Sequence, residues 1–462
     1  VFPVKKESGL KMSEIKEWVA WFRHASPYIN AQRNQVMVLA LSGEALAHDN
    51  LENIIHDIAL LNSLGIRLIL VFGARPQIDE VLQRNHIATR FHQIKHQLLR
   101  ITHEDMIPYV LSAYGRLRSE LEAKLSMGVI NSPMQGARIN VVSGNFVMAK
   151  PFGVSDGVDL GLTGQVRKID VASIQQHLQH QSVILVPATG YSMTGEIFNL
   201  SYEALAAEMS IRLNADKLIF FGNESGLKTE QGELVQQLTV KQAIEYVDAL
   251  NCQFEDTDSG ERKRKHAQIN QLLAAAHACQ SGVRRVHLLS YTHDGALLEE
   301  LFTRDGHGTM VSVDEFDQIR PAKLEDTNGI LSLIRPLEEQ GFLVRRSREL
   351  LETEIDYFLV EVRDNAIIGC VGLYPFPKDN AGELSCFAVD PDYRKMGRGD
   401  RLLEAVTQRA IAQNFSKLFV LTTKTEQWFK ERGFSPVSPS MLPGEKNYNT
   451  SRNAKVLMKQ IQ

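Results

Sequence analysis

From residue 35 to about residue 300, wholly apolar runs alternate with glycine-containing turns and helix-like stretches. "QVMVLAL" (35–41) leads into "SGEAL", and "IRLILVF" (66–72) leads into "GARPQIDEVLQRN". "SVILVPATG" (182–190) and "DKLIFFGNESG" (216–226) are further runs of the same kind. A strand with one wet face alternates apolar and polar residues. These runs do not alternate, so the pattern predicts a largely parallel sheet covered by helices on both faces. Ligands of such sheets sit at the carboxyl ends of the strands. Ahead of the sheet, residues 14–30, "EIKEWVAWFRHASPYIN", carry the spacing of an amphipathic helix that is expected to stop near Pro27. The polar stretch 252–266, "CQFEDTDSGERKRKH", reads as a loop running into a helix start. Its basic cluster Arg262–Lys265 reads as a solvated face rather than a phosphate site.

The pattern changes near residue 319. "IRPAKLED" reads as a strand and a helix cap, with Asp326 as N-cap. Ile330, Leu333, Ile334 and Leu337 then fall on one helical face, and Gly341 ends the helix. "YFLVEV", a turn at "RDN", "AIIGCVGLY" and "ELSCFAV" follow as a meander of strands. A helix after residue 397, the strand "KLFVLTT" and the helix "EQWFKERGF" complete an α+β order. No internal repeat links the two halves. The expected domains are 13–312 and 313–462, preceded by a leader or upstream remnant over 1–12.

The bulk numbers narrow the function. The 462-residue chain has 51 Lys+Arg against 55 Asp+Glu, a net charge of −4, which gives no general reason to bind nucleic acid or an anionic membrane. No apolar run reaches membrane-spanning length. The cysteines Cys252, Cys279, Cys370 and Cys386 have no CxxC spacing, which fits a reducing, cytoplasmic setting and speaks against a structural zinc site.

The densest chemistry is "DPDYRKMGRGD" (390–400), a turn between strand and helix. A helix amino end exposes unpaired N–H groups and the positive end of the dipole, and a glycine turn before it lets backbone wrap a diphosphate. Gly397 and Gly399 permit close approach, while Arg394, Lys395 and Arg398 add charge. The spacing Arg-x-x-Gly-x-Gly is not that of a dinucleotide fold. In its setting of strand, turn, helix, strand and "WFKERGF", this domain resembles the GNAT acetyltransferases over its whole length. The resemblance implies that the turn holds the pyrophosphate of acetyl-CoA, a co-substrate rather than a resident cofactor, through Cys386, Phe387, Ala388, Val389, Arg394, Gly397, Arg398, Gly399 and Asp400.

"LIRPLEEQGFLVRRSRE", "LYPFP", "NYNTSRNAKVLM" and, upstream, "VSGNF" and "GVSDGVD" are similar to the bacterial N-acetylglutamate synthases, in which an amino-acid-kinase-like domain precedes a GNAT domain. The resemblance runs from about Ser13 to the end of the chain. It implies acetyl transfer to the α-amine of L-glutamate, the first step of arginine synthesis. A backbone N–H near Cys386–Ala388 would polarise the thioester carbonyl. Glu383 would be the base, with partial burial needed to make it effective at neutral pH. Thr422 would protonate the leaving thiolate. Read without the resemblance, Glu383 is a strand-end charge and Thr422 an ordinary strand threonine. The carboxylates of the acceptor would meet Arg346, beside Val344, and Arg452, since arginine pairs with carboxylates bidentately. Arg345 and Arg348 either face solvent or pair with Glu349 and Glu352. No metal is implied.

The first domain is similar to the amino-acid kinases, in particular acetylglutamate kinase, but without their phosphate-handling parts. The first turn, Ala40-Leu41-Ser42-Gly43, lacks a lysine. The second, Phe72-Gly73-Ala74-Arg75, lacks consecutive glycines, and an Asn-Ala-Asp stretch is replaced by Leu200-Ser201-Tyr202. Phosphoryl transfer depends on such positioning and charge neutralisation. "HLLSYTHDGALLEELFTRDGHGTM" (287–310) resembles the arginine-binding segment of arginine-sensitive kinases. Glu300 would meet the guanidinium, Gly306 and Gly308 the amino-acid end, and the helix near Trp21–Phe22 would close the site. That helix also implies a homo-oligomer, a hexamer. Read alone, "GALLEELF" is an amphipathic helix with Glu300 in solvent. Two other functions stay open at this stage: an arginine sensor without turnover, and an acetylglutamate kinase with an appended domain.

Overall fold

The computed structural model of the chain describes residues 12–126, 139–229, 232–252, 259–303, 306–313, 318–363, 366–394, 397–444, 446, 448 and 454–461. The 1–11 segment, the loop at 253–258, Asp364 and Asn365 of the "RDN" turn, Lys395 and Arg452 lie outside the described residues. The chain divides into two compact units, Val1–Glu315 and Phe316–Gln462.

The first unit opens with α1 (Met12–Gln32), which runs through Pro27 instead of stopping there. A proline inside a helix removes one hydrogen bond. Here Ala25 before it is buried, and Tyr28 and Ile29 after it pack on the core, so contacts on both sides hold the helix. There follow β1 (Val36–Leu41), α2 (Leu51–Ser63), β2 (Arg67–Phe72), α3 (Arg75–Arg84), β3 (Val141–Val142), β4 (Val183–Pro187), α4 (Tyr202–Arg212) and β5 (Lys217–Gly222). β6 (Gln237–Thr239), α5 (Ser259–Gln280), β7 (Arg285–Ser290), α6 (Ala296–Phe302) and β8 (Thr309–Ser312) complete the sheet and its main helices. The eight strands lie in the order β6-β8-β7-β5-β1-β2-β4-β3. Every adjacent pair is parallel except β7 with β8. The central strands are buried along nearly their full length, the burial that continuous apolar runs demand. Residues Val147–Pro151, Gly164–Ile169, Thr189–Tyr191 and Ile197–Asn199 form a separate four-stranded sheet.

The second unit contains β9 (Gln318–Pro321), α7 (Thr327–Glu339), α8 (Arg348–Thr353), β10 (Phe358–Arg363), β11 (Ala366–Phe376), β12 (Ala381–Val389), α9 (Arg398–Ala412), β13 (Lys417–Thr422), α10 (Glu426–Lys430), β14 (Ser435–Pro436) and β15 (Lys455–Gln460). Its seven strands follow the order β9-β10-β11-β12-β13-β15-β14, antiparallel except for the parallel pair β12–β13. Asp326 stands at the start of α7, but its carboxylate turns back. It accepts from Lys323 N at 2.8 Å and takes both Arg320 nitrogens at 2.6 and 2.9 Å. Gly341 follows the helix at φ +75°, the left-handed conformation in which a helix ends. The expected helix at 426–434 is short, ending at Lys430. Among the described residues no helix is long and apolar enough to cross a membrane.

Candidate active site

The second unit's sheet has a built-in opening. β12 and β13 pair only from Ala381–Lys417 to Leu384–Val420, and beyond Leu384 β12 has no ladder to β13. On its other side, β12 pairs with β11 through a bulge. Cys370 faces Ala388 and Gly372 faces Ser385, so Cys386 and Phe387 together oppose Val371. Cys386 takes φ +49° to make it, and the Cys370 thiol donates to the Cys386 carbonyl at 3.4 Å. A bulge bends its strand and frees backbone groups from the ladder. Peptide groups of Ser385–Val389 thus line a gap between two diverging strands. Burial, the main cause, pushes the Cys386 thiol up to about 11 despite the charge of Arg346. The thiol stays protonated and packs; it is not a nucleophile.

Polar side chains gather at this gap. Arg346 Nη2 donates to Ser385 Oγ at 3.0 Å, and its guanidinium lies over the Tyr374 ring at 5.7 Å. Its own backbone N–H donates to Glu338 at 2.9 Å, and Nη1 reaches the Val344 carbonyl at 3.4 Å, while the Val344 side chain is exposed. Arg348 pairs with Glu352 at 2.7 Å on the solvent side. Glu383 is buried, and Lys446 Nζ lies 2.6 Å from each of its oxygens. Thr422, at the end of β13, accepts from Thr425 N at 3.0 Å and meets Thr425 Oγ1 at 2.8 Å. Its oxygen therefore holds the turn into α10 as well as facing the strand end. Tyr374 lies within "LYPFP", but nothing in the spacing of Lys446 or Ser385 flags either as a site residue. They reach the site through the bulge and through a chain return of some sixty residues.

At the glycine turn the side chains of Arg398 and Asp400 are engaged within the fold, and Gly399 packs against Trp428. Gly397 is left-handed, φ +66°, and begins α9; its surroundings are open. Arg394 is exposed, with Nε donating to the Val389 carbonyl at 3.2 Å. Arg398, expected to add charge for phosphate, points inward. It is buried, and its Nη1 lies 2.8 Å from Glu361 Oε1, which is buried completely. A buried carboxylate without a cation is strongly disfavoured, which explains the arginine. Gly399 needs no positive φ; a Cβ there would stand 2.9 Å from Trp428 Cζ2. Asp400 is taken by Arg432, whose guanidinium also lies 4.0 Å over the Trp428 ring. Arg398 and Asp400 thus anchor α9 through their side chains, and Gly399 lets the Trp428 ring pack close to the backbone. The start of α9 beside Gly397 carries the positive end of the helix dipole.

Residues 35–290 match the amino acid kinase family, and residues 327–434 match the acetyltransferase (GNAT) family. An amino-acid acetyltransferase of Azotobacter vinelandii is 49% identical over 97% of this chain and 100% of that one. One from Pseudomonas aeruginosa is 48% identical over the same shares. N-acetylglutamate synthase from Neisseria gonorrhoeae, complexed with coenzyme A and L-arginine, is similar with a TM-score of 0.80 and 34% identity. That alignment covers 96% of this chain and 99% of that one. Complexed with coenzyme A and N-acetyl-glutamate, the same protein gives a TM-score of 0.59. The chain belongs to the amino-acid acetyltransferases.

In the first unit of this acetyltransferase, the carboxyl ends of β1, β2, β5 and β7 open into a cleft of about 920 Å³. The turns Ser42-Gly43 and Gly73-Ala74-Arg75 line it, and so do Tyr202, Glu203, Arg264 and Lys265. Two members of the basic cluster therefore face a cavity, not bulk solvent alone. The Tyr202 ring lies where a Cβ on Gly73 would meet it at 2.8 Å, and its hydroxyl accepts from Gln271 at 3.0 Å. Ser201 caps α4, accepting from Ala204 N at 3.2 Å. Burial raises the Glu203 carboxyl, against the pull of Arg75.

Glu300 is not in solvent. It is buried between β7 and the turn before β8, with Oε1 2.5 Å from His287 Nδ1. Oε2 accepts from His307 N at 2.7 Å and Gly308 N at 3.0 Å. Burial opposes its charge, but His287 and the two N–H groups outweigh burial and bring the carboxyl down to about 2. Gly306, at φ +66°, and Gly308 make room for this arrangement: a Cβ on Gly306 would lie 2.4 Å from Glu300 Oε2, and one on Gly308 2.3 Å from the Leu288 carbonyl. In this structure the turn and Glu300 bind each other.

Proposed function

We propose that the protein transfers the acetyl group of acetyl-CoA to the α-amine of L-glutamate, giving N-acetylglutamate and CoA, and that L-arginine inhibits it through the first unit. The observation that carries this reading is the full-length likeness to N-acetylglutamate synthase with coenzyme A and either L-arginine or N-acetyl-glutamate bound. The open strand gap and the arginine beside it agree with that chemistry. In the reaction the neutral amine attacks the thioester carbon, the C–N bond forms and the C–S bond breaks. The amine loses one proton and the CoA thiolate gains one.

The backbone N–H groups freed at the Cys386 bulge stabilise the developing oxyanion. Glu383 accepts the proton of the amine, directly or through one water. Lys446 holds the carboxylate in place and moves aside, or shares it, when the amine arrives. Thr422 delivers a proton to the sulfur and is replenished from Thr425, its neighbour at 2.8 Å. Arg346 takes a carboxylate of the acceptor, and Arg452 the other. The phosphates of acetyl-CoA meet the backbone N–H groups at the start of α9, beside Gly397, and the charge of Arg394.

Arginine binding at Glu300 is then an exchange. The guanidinium replaces His287 or the turn as partner of the carboxylate, and the turn's N–H groups become free for the amino-acid end. Such coupling is reciprocal, so acetyl-CoA or glutamate changes arginine affinity by the same factor. The reading carries a cytoplasmic homo-oligomer, with α1 joining dimers into hexamers. Light scattering on the eluting protein tests the assembly. The chemistry is tested by initial rates with acetyl-CoA across amino acids, with and without arginine. Glutamate should be preferred strongly and arginine should lower the rate. Equal rates with a monocarboxylic amino acid overturn the acceptor assignment. Calorimetry on Glu300→Gln should show arginine binding weakened; unchanged affinity places the effector elsewhere.

A further inference from the structure

We infer that His293, Glu299 and His307 form a binding site for a divalent transition-metal ion of the zinc class on the surface of the first unit. The three side chains come from the turn after β7, from α6 and from the turn before β8. Their ligand atoms all lie within 4.8 Å of one another. Glu299 Oε2 is shared: His307 Nδ1 is 3.1 Å from it and His293 Nε2 is 3.5 Å from it. Two ligands bound tetrahedrally to zinc at ordinary bond lengths stand about 3.3–3.5 Å apart. The separations from the shared oxygen already match that spacing without backbone movement.

The donor set selects the kind of ion. Two imidazoles and one carboxylate suit zinc, nickel, cobalt or copper, whereas calcium and magnesium want oxygen alone. Three protein ligands leave a position for water. Part of the site is held before any ion arrives. The His307 backbone is fixed by its N–H bond of 2.7 Å to Glu300, and Glu299 sits on a helix. The His293 and His307 rings stack at 3.8 Å with planes 10° apart. An imidazole ligates in its own plane, so one ring must turn for both to reach the same ion. His293, with its side chain 42% exposed in a turn, is the ring free to do so. The spacing 293, 299, 307 corresponds to no metal motif. The turn that brings His307 back beside α6 creates the cluster.

The test is zinc titration by calorimetry of the full chain, stripped with a chelator, together with the visible spectrum of the cobalt-loaded protein. The parent should bind one ion per chain with heat, and cobalt should give the strong bands of four-coordinate geometry. Three variants, His293→Ala, Glu299→Gln and His307→Gln, should each weaken zinc about tenfold or more, with the cobalt spectrum reduced or lost. His293 is exposed and packs into no core, so His293→Ala keeps the test valid should a change at position 307 disturb the turn. Absence of stoichiometric zinc binding by the parent overturns the site. So does a His293→Ala protein that binds zinc and shows the cobalt bands as the parent does.

Discussion

Replacing Arg398 by methionine separates two roles that one turn could give an arginine. In the structure its guanidinium is buried against Glu361, 2.8 Å away, and Glu361 is wholly removed from water. Methionine keeps much of the volume and removes the cation. The carboxylate is then left buried and unpaired, which costs about 3–5 kcal/mol. Domains of this size lose about 2–4 °C of melting temperature per kcal/mol, so the drop should be roughly 6–20 °C. Differential scanning calorimetry of the full chain measures it, and acetyl-transfer kinetics below the transition give the KM for acetyl-CoA. That KM should move little, because the side chain does not face the turn's outer side. Adding Glu361→Leu removes the stranded charge and should restore most of the lost stability, a coupling that a double-mutant cycle quantifies. An Arg398→Met protein that melts like its parent but binds acetyl-CoA poorly would refute the argument and return Arg398 to the phosphates.

Arg346→Ala should raise the KM for glutamate by the equivalent of about 2–5 kcal/mol while sparing that for acetyl-CoA, because a desolvated carboxylate loses its partner; steady-state kinetics with each substrate varied decide it. Glu383→Gln should lower kcat about 10²–10⁴-fold with acetyl-CoA binding retained, and a rate near the parent's removes Glu383 as the base. Asp57 gives a pH prediction. Burial, followed by repulsion from Asp294, raises its carboxyl from 3.8 to about 7. The folded chain then keeps a proton that the unfolded chain has given up, so this residue lowers stability as pH rises from about 4 to 7 and holds it down above that. Asp57→Asn should stabilise the protein by up to roughly 4 kcal/mol at pH 8 and by much less at pH 5; equal shifts in the urea midpoint at both pH values would remove the residue as the cause.

The strands of the first unit were legible because both their faces are buried, which leaves unbroken apolar runs such as 66–72. The α+β order of the second unit was legible for a similar reason: its strands and helices differ in period. What escaped was direction and distance. Arg394 and Arg398 are four residues apart in one basic turn, yet one is exposed and the other faces Glu361 on a strand formed 37 residues earlier. Glu300 looks like a surface residue of an amphipathic helix until β7 brings His287 beneath it. Lys446 joins Glu383 across 63 residues, a pairing no local pattern encodes. Pro27 marked a helix end by local chemistry, but packing on the core overrode it. The bulge at Cys386 left no trace of glycine or asparagine, the residues that ordinarily announce a left-handed backbone.

The ring of Tyr202 against Gly73 makes position 73 one that only glycine fills, since any side chain there would begin 2.8 Å from the ring. A lysine in place of Ala40 would bring a charge to the first turn but make no room beside the second, because an aromatic side chain fills that side of the cleft and is tied to Gln271.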